Sequence, residues 1–311
     1  MPVLRKLALA AAVLAVGGAG VFWLLTGPNR LSTEAVAALP EGDAARGERI
    51  FWAGGCTSCH ARPAAEGDAV LELAGGLELK TDFGVFVAPN ISPHSRDGIG
   101  SWSVGDFANA MMRGVAPDGS HYYPAFPYAS YTRMDPADVS DLFAFMMTLP
   151  AVDGEAPGNR LGFPFNMRRG LGLWKWLHLD PAPVVAVDQA DPQLVAGRYL
   201  VEGPGHCGEC HSPRDFSGGI RTNDWLAGAV AAEGDGVVPN LTPEGLSWSA
   251  ADIAYYLESG FTPDFDTVGG SMVAVQKNMA RLSAEDRAAI AAYIKAVPAR
   301  PNGYPARTTG Q

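Results

Sequence analysis

Residues 207–211 read CGECH and residues 56–60 read CTSCH. Together they hold all four cysteines of a 311-residue chain. Each is Cys-x-x-Cys followed at once by histidine, the spacing of c-type haem attachment. Two thiols about one helical turn apart reach the two vinyl groups of a single porphyrin, and the next residue turns its imidazole toward the iron. A redox disulfide needs no histidine after it and sits in a βαβ pattern that is missing around these stretches. A zinc knuckle needs further ligands, yet His94, His121, His178 and His206 show no paired spacing. The motifs therefore predict two covalently bound haem c groups, attached through Cys56, Cys59, Cys207 and Cys210, with His60 and His211 as axial iron ligands.

Outward from the motifs the chain repeats itself. CTSCH is followed by APNISP (88–93), GSWSVGDFANAMMRGV (100–115) and MDPADVSDLFAFMMTLP (134–150). CGECH is followed by VPNLTP (238–243), LSWSAADIAYYLESGF (246–261) and LSAEDRAAIAAYIKAVP (282–298). One structural unit occurs twice. Before each motif, Gly47 and Phe51 match Gly197 and Val201, four residues apart on one helical face. Ser103 and Ser249 read as N-caps. Asp135-Pro136 and Ser283 to Asp286 start a last helix, with apolar faces at Leu142, Phe145, Met146 and at Ile290, Tyr293, Ile294. Short helices and long loops cannot fill such cores alone, and a large flat porphyrin supplies what is missing.

The N-terminus adds a location. Arg5 and Lys6 precede an uncharged apolar run from Leu7 to Thr26, about the length that spans a bilayer. No good cleavage site follows it, so an uncleaved signal anchor is expected, with a cleaved signal as the alternative. The basic residues before the run place the remainder outside the cytoplasm. The net charge of −10 disfavours nucleic acid and suits a basic protein partner. The expected division is 1–41 signal anchor (helix about 7–26) and linker, 42–152 first unit, 153–190 a Pro/Gly-rich connector with few helical signals, 191–300 second unit, and 301–311 a loose tail. In the connector, Arg168, Arg169, Lys175, Trp174 and Trp176 suit a lipid headgroup surface or a haem propionate. Packing of the tryptophans between the units is the simpler expectation.

CTSCH, GIGSWS, DGSHYYPAFPYASY, the PFNMRRGLGLWKWLHL connector and CGECH together resemble the cytochrome c subunits of membrane-bound bacterial alcohol, gluconate and aldehyde dehydrogenases and their diheme relatives. The likeness covers most of residues 42–298. It implies a mainly α chain with two tandem class I cytochrome c domains after an N-terminal transmembrane helix, and electron transfer as the activity. Those dehydrogenase subunits usually carry three haems, against two motifs here. The resemblance also implies a methionine opposite each histidine, in the loop before the last helix. Met272, in a Gly-rich loop, is the candidate in the second unit, with Met279 its competitor. In the first unit many relatives have methionine where this chain has Phe126. Met134 is then the candidate, against His121, Met111 or Met112, or an open iron. The expected role is a membrane-anchored periplasmic electron carrier, single-pass in the cell inner membrane. It takes electrons from a periplasmic dehydrogenase or membrane complex and gives them to a cytochrome or terminal oxidase. The alternative is a diheme peroxidase-like enzyme with an open first haem.

Overall fold

The computed structural model describes residues 2–231 and 236–305; the end of the expected tail, 306–311, lies outside the described residues. Helix α1 (Pro2–Leu25) buries none of its residues. Among the described residues it alone is long and apolar enough to cross a membrane, which makes it a candidate membrane anchor or signal sequence. A short α2 (Thr33–Ala37) leads into the first helical unit. That unit comprises α3 (Ala44–Ala53), α4 (Cys56–His60), α5 (Val104–Arg113), α6 (Tyr128–Tyr131) and α7 (Pro136–Met146). After α8 (Leu171–His178) the same order recurs as α9 (Pro192–Glu202), α10 (Gly208–His211), α11 (Ala250–Ser259), α12 (Met272–Met279) and α13 (Ala284–Ala296). Strands are few: β1 (Glu78–Thr81), β2 (Gly84–Val87) and β3 (Arg160–Leu161) form an antiparallel sheet in that order, and β4 (Ala229–Val230) pairs with β5 (Val237–Val238).

The helix starts are set by the expected residues. Ser103 and Ser249 each close a capping box, with Asp106 and Asp252. Asp135, with Pro136 behind it, caps α7, and Ser283 accepts the Asp286 N–H to cap α13. Asp43 and Asp191 cap α3 and α9 in the same way. Each cap contributes about 1 kcal/mol by satisfying orphan N–H groups. In both units the first and last helices cross at a glycine. A Cβ on Gly47 would lie 1.9 Å from the Asp141 carbonyl oxygen, and one on Gly197 would lie 1.9 Å from that of Ala289. The close approach buries Phe51, Leu142 and Met146 on one side and Val201, Ile290 and Tyr293 on the other. Each such side chain is worth about 1.5–3 kcal/mol.

Two expectations need correcting. The connector contains α8, eight residues long, and lends β3 to the first unit's sheet. Its helix forms because Lys175, which reads as a surface residue, is buried and finds carbonyl partners. The start of the expected tail is pinned: Asn302 Oδ1 accepts from Asn240 Nδ2, and Gly303 N–H donates to Ala227 O. The simpler reading of the tryptophans holds for Trp174, whose Nε1–H donates to Ser217 O and whose ring packs on His178 and Tyr128. It fails for Trp176, which is 68% exposed.

Candidate metal centres

The two attachment motifs form short helices entered by the same sharp turn. The residue before the first cysteine is left-handed in both: Gly55 at φ 56° and His206 at φ 39°. Glycine takes this conformation freely, whereas histidine is strained in it. His206 is held there by contacts with the other unit, through Nε2 and Gly54 O at 3.2 Å and a T-shaped contact with Tyr131.

No disulfide joins any of the four cysteines, so each is available for a thioether. Before attachment, burial pushes the Cys56 and Cys207 thiols up to about 12. Each motif histidine is clamped at two points. His60 O accepts from Gly75 N–H at 2.7 Å and His211 O from Gly228 N–H at 2.7 Å. His60 Nδ1 lies 2.8 Å from Pro89 O, and His211 Nδ1 lies 2.8 Å from Pro239 O. A carbonyl can only accept, so each Nδ1 carries the proton and each Nε2 keeps its lone pair. Burial holds both rings below the usual histidine range, hence neutral. A neutral imidazole with an oriented free nitrogen beside two thiols fits an iron porphyrin. Among the described residues no three His, Cys, Asp or Glu side chains group as a bare-metal site.

The prolines belong to the repeated PN-[IL]-[ST]-P segment, and the asparagine that follows fixes the turn. Asn90 Nδ2 donates to Val152 O and Gly154 O, while its Oδ1 accepts from Ser92 N–H. Asn240 does the same with Arg300 O, Asn302 Oδ1 and Thr242 N–H. Sequence reasoning missed these roles. The repetition of APNISP as VPNLTP was the available signal, but a proline carbonyl has no chemical signature in a sequence.

Both attachment helices lie at the contact between the units. Helix α4 packs on α12, with Thr57 Oγ1 donating to Asn278 Oδ1 at 2.9 Å and Asn278 Nδ2 to Ser58 Oγ at 3.0 Å. On the other side, Ser130 in α6 donates to Glu209 in α10 at 2.9 Å. Each attachment helix thus contacts the loop helix of the opposite unit. Arg49 and Asp286 add a two-pronged ion pair across the same contact, at 2.7 and 2.9 Å.

The loops before the last helices start alike, at the bridges Val115–His121 and Phe261–Thr267. Five residues on from His121 and Thr267 come Phe126 and Met272. Met272 opens α12 half-buried and packed on the core, while Met279 is buried in that core. Phe126 sits among the rings of Tyr122, Tyr128 and Tyr131. Met134 is buried and lines a small cavity with Cys56, Met111, Tyr131 and Pro204. His121 is buried elsewhere with both nitrogens engaged: Nε2–H donates to Thr26 O at 2.9 Å, and Nδ1 accepts from Lys175 Nζ at 3.0 Å. Both ring nitrogens are thus occupied by the N-terminal segment and the connector.

Residues 44–150 match the family model described as cytochrome c. A diheme cytochrome c-type protein of Cereibacter sphaeroides is 53% identical over 295 residues, covering 95% of this chain and 99% of that protein. The cytochrome c subunit of the quinone alcohol dehydrogenase of Gluconobacter oxydans is 35% identical, covering 83% of this chain and 55% of the subunit. That of the gluconate 2-dehydrogenase of Pantoea cypripedii is 34% identical, with 87% and 64% covered. The chain thus spans between half and two thirds of the length of these two dehydrogenase subunits.

Proposed function

Because this chain belongs to the cytochrome c family, as a diheme c-type cytochrome with two covalently bound haem c groups, we propose that it relays single electrons between two protein partners across the interface at which both of its attachment helices lie. It is an electron carrier and turns over no substrate, in keeping with relatives that are cytochrome subunits of dehydrogenases. The observation that carries the relay is the packing of α4 on α12 and of α6 against α10, which brings both attachment segments into one interface.

The bound haem supplies a one-electron iron couple. The protein's residues would attach it, with the His60 and His211 imidazoles oriented by Pro89 and Pro239, and the cores around Phe51 and Tyr293 would exclude water. Met272 would be the methionine that holds the second haem's iron in this reading. It is supported by its place in the loop and by its packing on the core. Met134 would hold the first haem's iron, a reading supported by its burial and by the cavity it shares with Cys56. Thioether ligation raises the potential of a haem, which suits delivery toward an oxidase.

The donor is a periplasmic dehydrogenase or a membrane complex, and the acceptor is another cytochrome or a terminal oxidase. The dehydrogenase subunits among the relatives support the donor. With α1 as an uncleaved anchor, the protein is single-pass in the inner membrane and its haem units face the periplasm. A peroxidase-like role gains no support from these relatives.

The test is interhaem equilibration. After a short pulse of photoreductant, the two haems of the intact protein should equilibrate at a rate independent of protein concentration, and Asn278→Ala should slow it. A rate proportional to concentration would show that the haems exchange only between molecules, and the relay would fall.

A further inference from the structure

The far end of α1 is locked to the connector. Thr26 is fully buried, and Arg169 Nε–H donates to its hydroxyl at 3.0 Å. The Arg169 guanidinium also bonds Trp23 O and lies 4.0 Å over the Trp23 ring. Helix α8 sits so close that a Cβ on Gly172 would come within 2.6 Å of Thr26 Cα. On its inner side α8 holds the first unit: Lys175 Nζ donates to Arg113 O and Gly114 O, both at 2.7 Å, and to His121 Nδ1. Its other face is apolar and uncovered. Leu173, Trp176 and Leu177 share that face by helical spacing and are 43%, 68% and 76% exposed. Phe163 and Met167, just upstream, are 79% and 52% exposed, and Arg168 is exposed beside them.

We propose that α8 and the segment before it form a foot that rests in the lipid headgroup region, beside the point where α1 leaves the bilayer. The inference rests on the reading of α1 as a membrane span. Trp23 near the end of an apolar helix marks the interface level, where tryptophan rings settle. Arg169 ties α8 to that level, so its exposed Leu173, Trp176 and Leu177 face lies beside lipid. An apolar face of Trp and Leu flanked by arginine is the chemistry of a helix lying in the membrane plane, with the cations meeting phosphate groups. Trp176 leaves a large ring 68% exposed beside that exit. The foot would fix the height and tilt of the first haem unit over the membrane, through Lys175 and His121.

The full-length holoprotein is placed in nanodiscs of phosphatidylethanolamine and phosphatidylglycerol, with p-benzoylphenylalanine replacing Leu14, Trp176, Leu177 or Phe265 in turn. Phe265 is 94% exposed in a loop of the second unit and serves as the distant control. Irradiation should give lipid adducts at 14, 176 and 177, with yields at 176 and 177 at least about tenfold above that at 265, as expected for an interfacial face. Adducts at 14 with none at 176 and 177 would overturn the foot and leave the span standing. No adduct at 14 would overturn the span reading itself. Adducts at 176 to a second copy of the protein would replace the lipid surface with a self-contact and also overturn the proposal.

Discussion

Asn240 is the residue through which the second axial histidine can be perturbed without touching it. Its side chain is 2% exposed and makes three hydrogen bonds: Nδ2–H to Arg300 O at 2.8 Å, Nδ2–H to Asn302 Oδ1 at 3.1 Å, and Oδ1 from Thr242 N–H at 2.8 Å. Asn240→Ala leaves the Thr242 N–H unpaired at a residue with no exposed surface. An orphaned buried donor costs about 1–3 kcal/mol, and each lost bond about 0.5–1.5 kcal/mol net. Arg300 O keeps a partner, because Thr242 Oγ1 also donates to it. The expected loss is therefore about 2–4 kcal/mol. Asn240→Asp keeps the acceptor for Thr242 but turns an anion toward two oxygens, so it should not rescue the loss.

Stability is only half of the readout. The Pro239 carbonyl, one residue back, holds His211 Nδ1, so loosening this turn should free the imidazole to rotate about its iron bond. Urea unfolding of the holoprotein followed by far-ultraviolet circular dichroism measures the first effect, and low-temperature EPR of the oxidised haems measures the second. Asn240→Ala should move the signal of one haem, and Asn90→Ala the signal of the other. A loss under about 0.5 kcal/mol, the range of neutral surface changes, would refute the clamp. A large loss with both EPR signals unchanged would leave Asn240 as a structural residue with no hold on the ligand.

Gly197→Ala should destabilise the second unit by about 1–3 kcal/mol despite the better helix propensity of alanine, because its Cβ meets the Ala289 carbonyl oxygen at 1.9 Å; urea midpoints check it. Burial pulls the Lys175 amine from its ordinary 10.5 down to about 7. The unfolded chain then binds more protons between those values, so stability should rise with pH from about 7 to 10.5, by up to ~1.4 kcal/mol per unit. Lys175→Met should flatten that rise in unfolding curves taken across the window. Met272→Ala should abolish one haem's near-infrared sulfur-to-iron band and lower that haem's potential in a redox titration, since the soft donor is gone.

The parts of the fold legible in the sequence are those written in side chains with a local job. The CxxCH motifs, the caps at Ser103 and Ser249 and the paired glycines at 47 and 197 act within a few residues of themselves or on a helical stripe. What could not be read depends on backbone atoms or on distance. The carbonyls of Pro89 and Pro239 orient both axial ligands, yet nothing distinguishes a proline carbonyl that does so. The contact of Thr57 with Asn278 joins residues 221 apart. Lys175 disguised α8, because a lysine in the middle of a short apolar run reads as solvated until the carbonyls of Arg113 and Gly114 are seen beneath it.

The sixth ligands draw on both kinds of information. Aligned through the bridges that start the loops, Phe126 faces Met272. Aligned through the caps of the last helices, Met134, just before Asp135, faces Leu282, just before Ser283. Each unit therefore has one methionine and one plain apolar residue at the same two positions, in opposite order. If each iron takes its unit's thioether, the positions should be interchangeable within a unit. Met134→Leu should remove the first haem's sulfur-to-iron band. Adding Phe126→Met should restore it, by giving the first unit the order of the second. The exchange suits the space available, since Phe126 already occupies an aromatic box large enough for a methionine. A wild-type band that Met134→Leu leaves intact would assign Met134 to the core, as Leu282 is. Recovery by Phe126→Met alone, in a protein lacking the band from the start, would show that the first iron has no sulfur donor in the native chain.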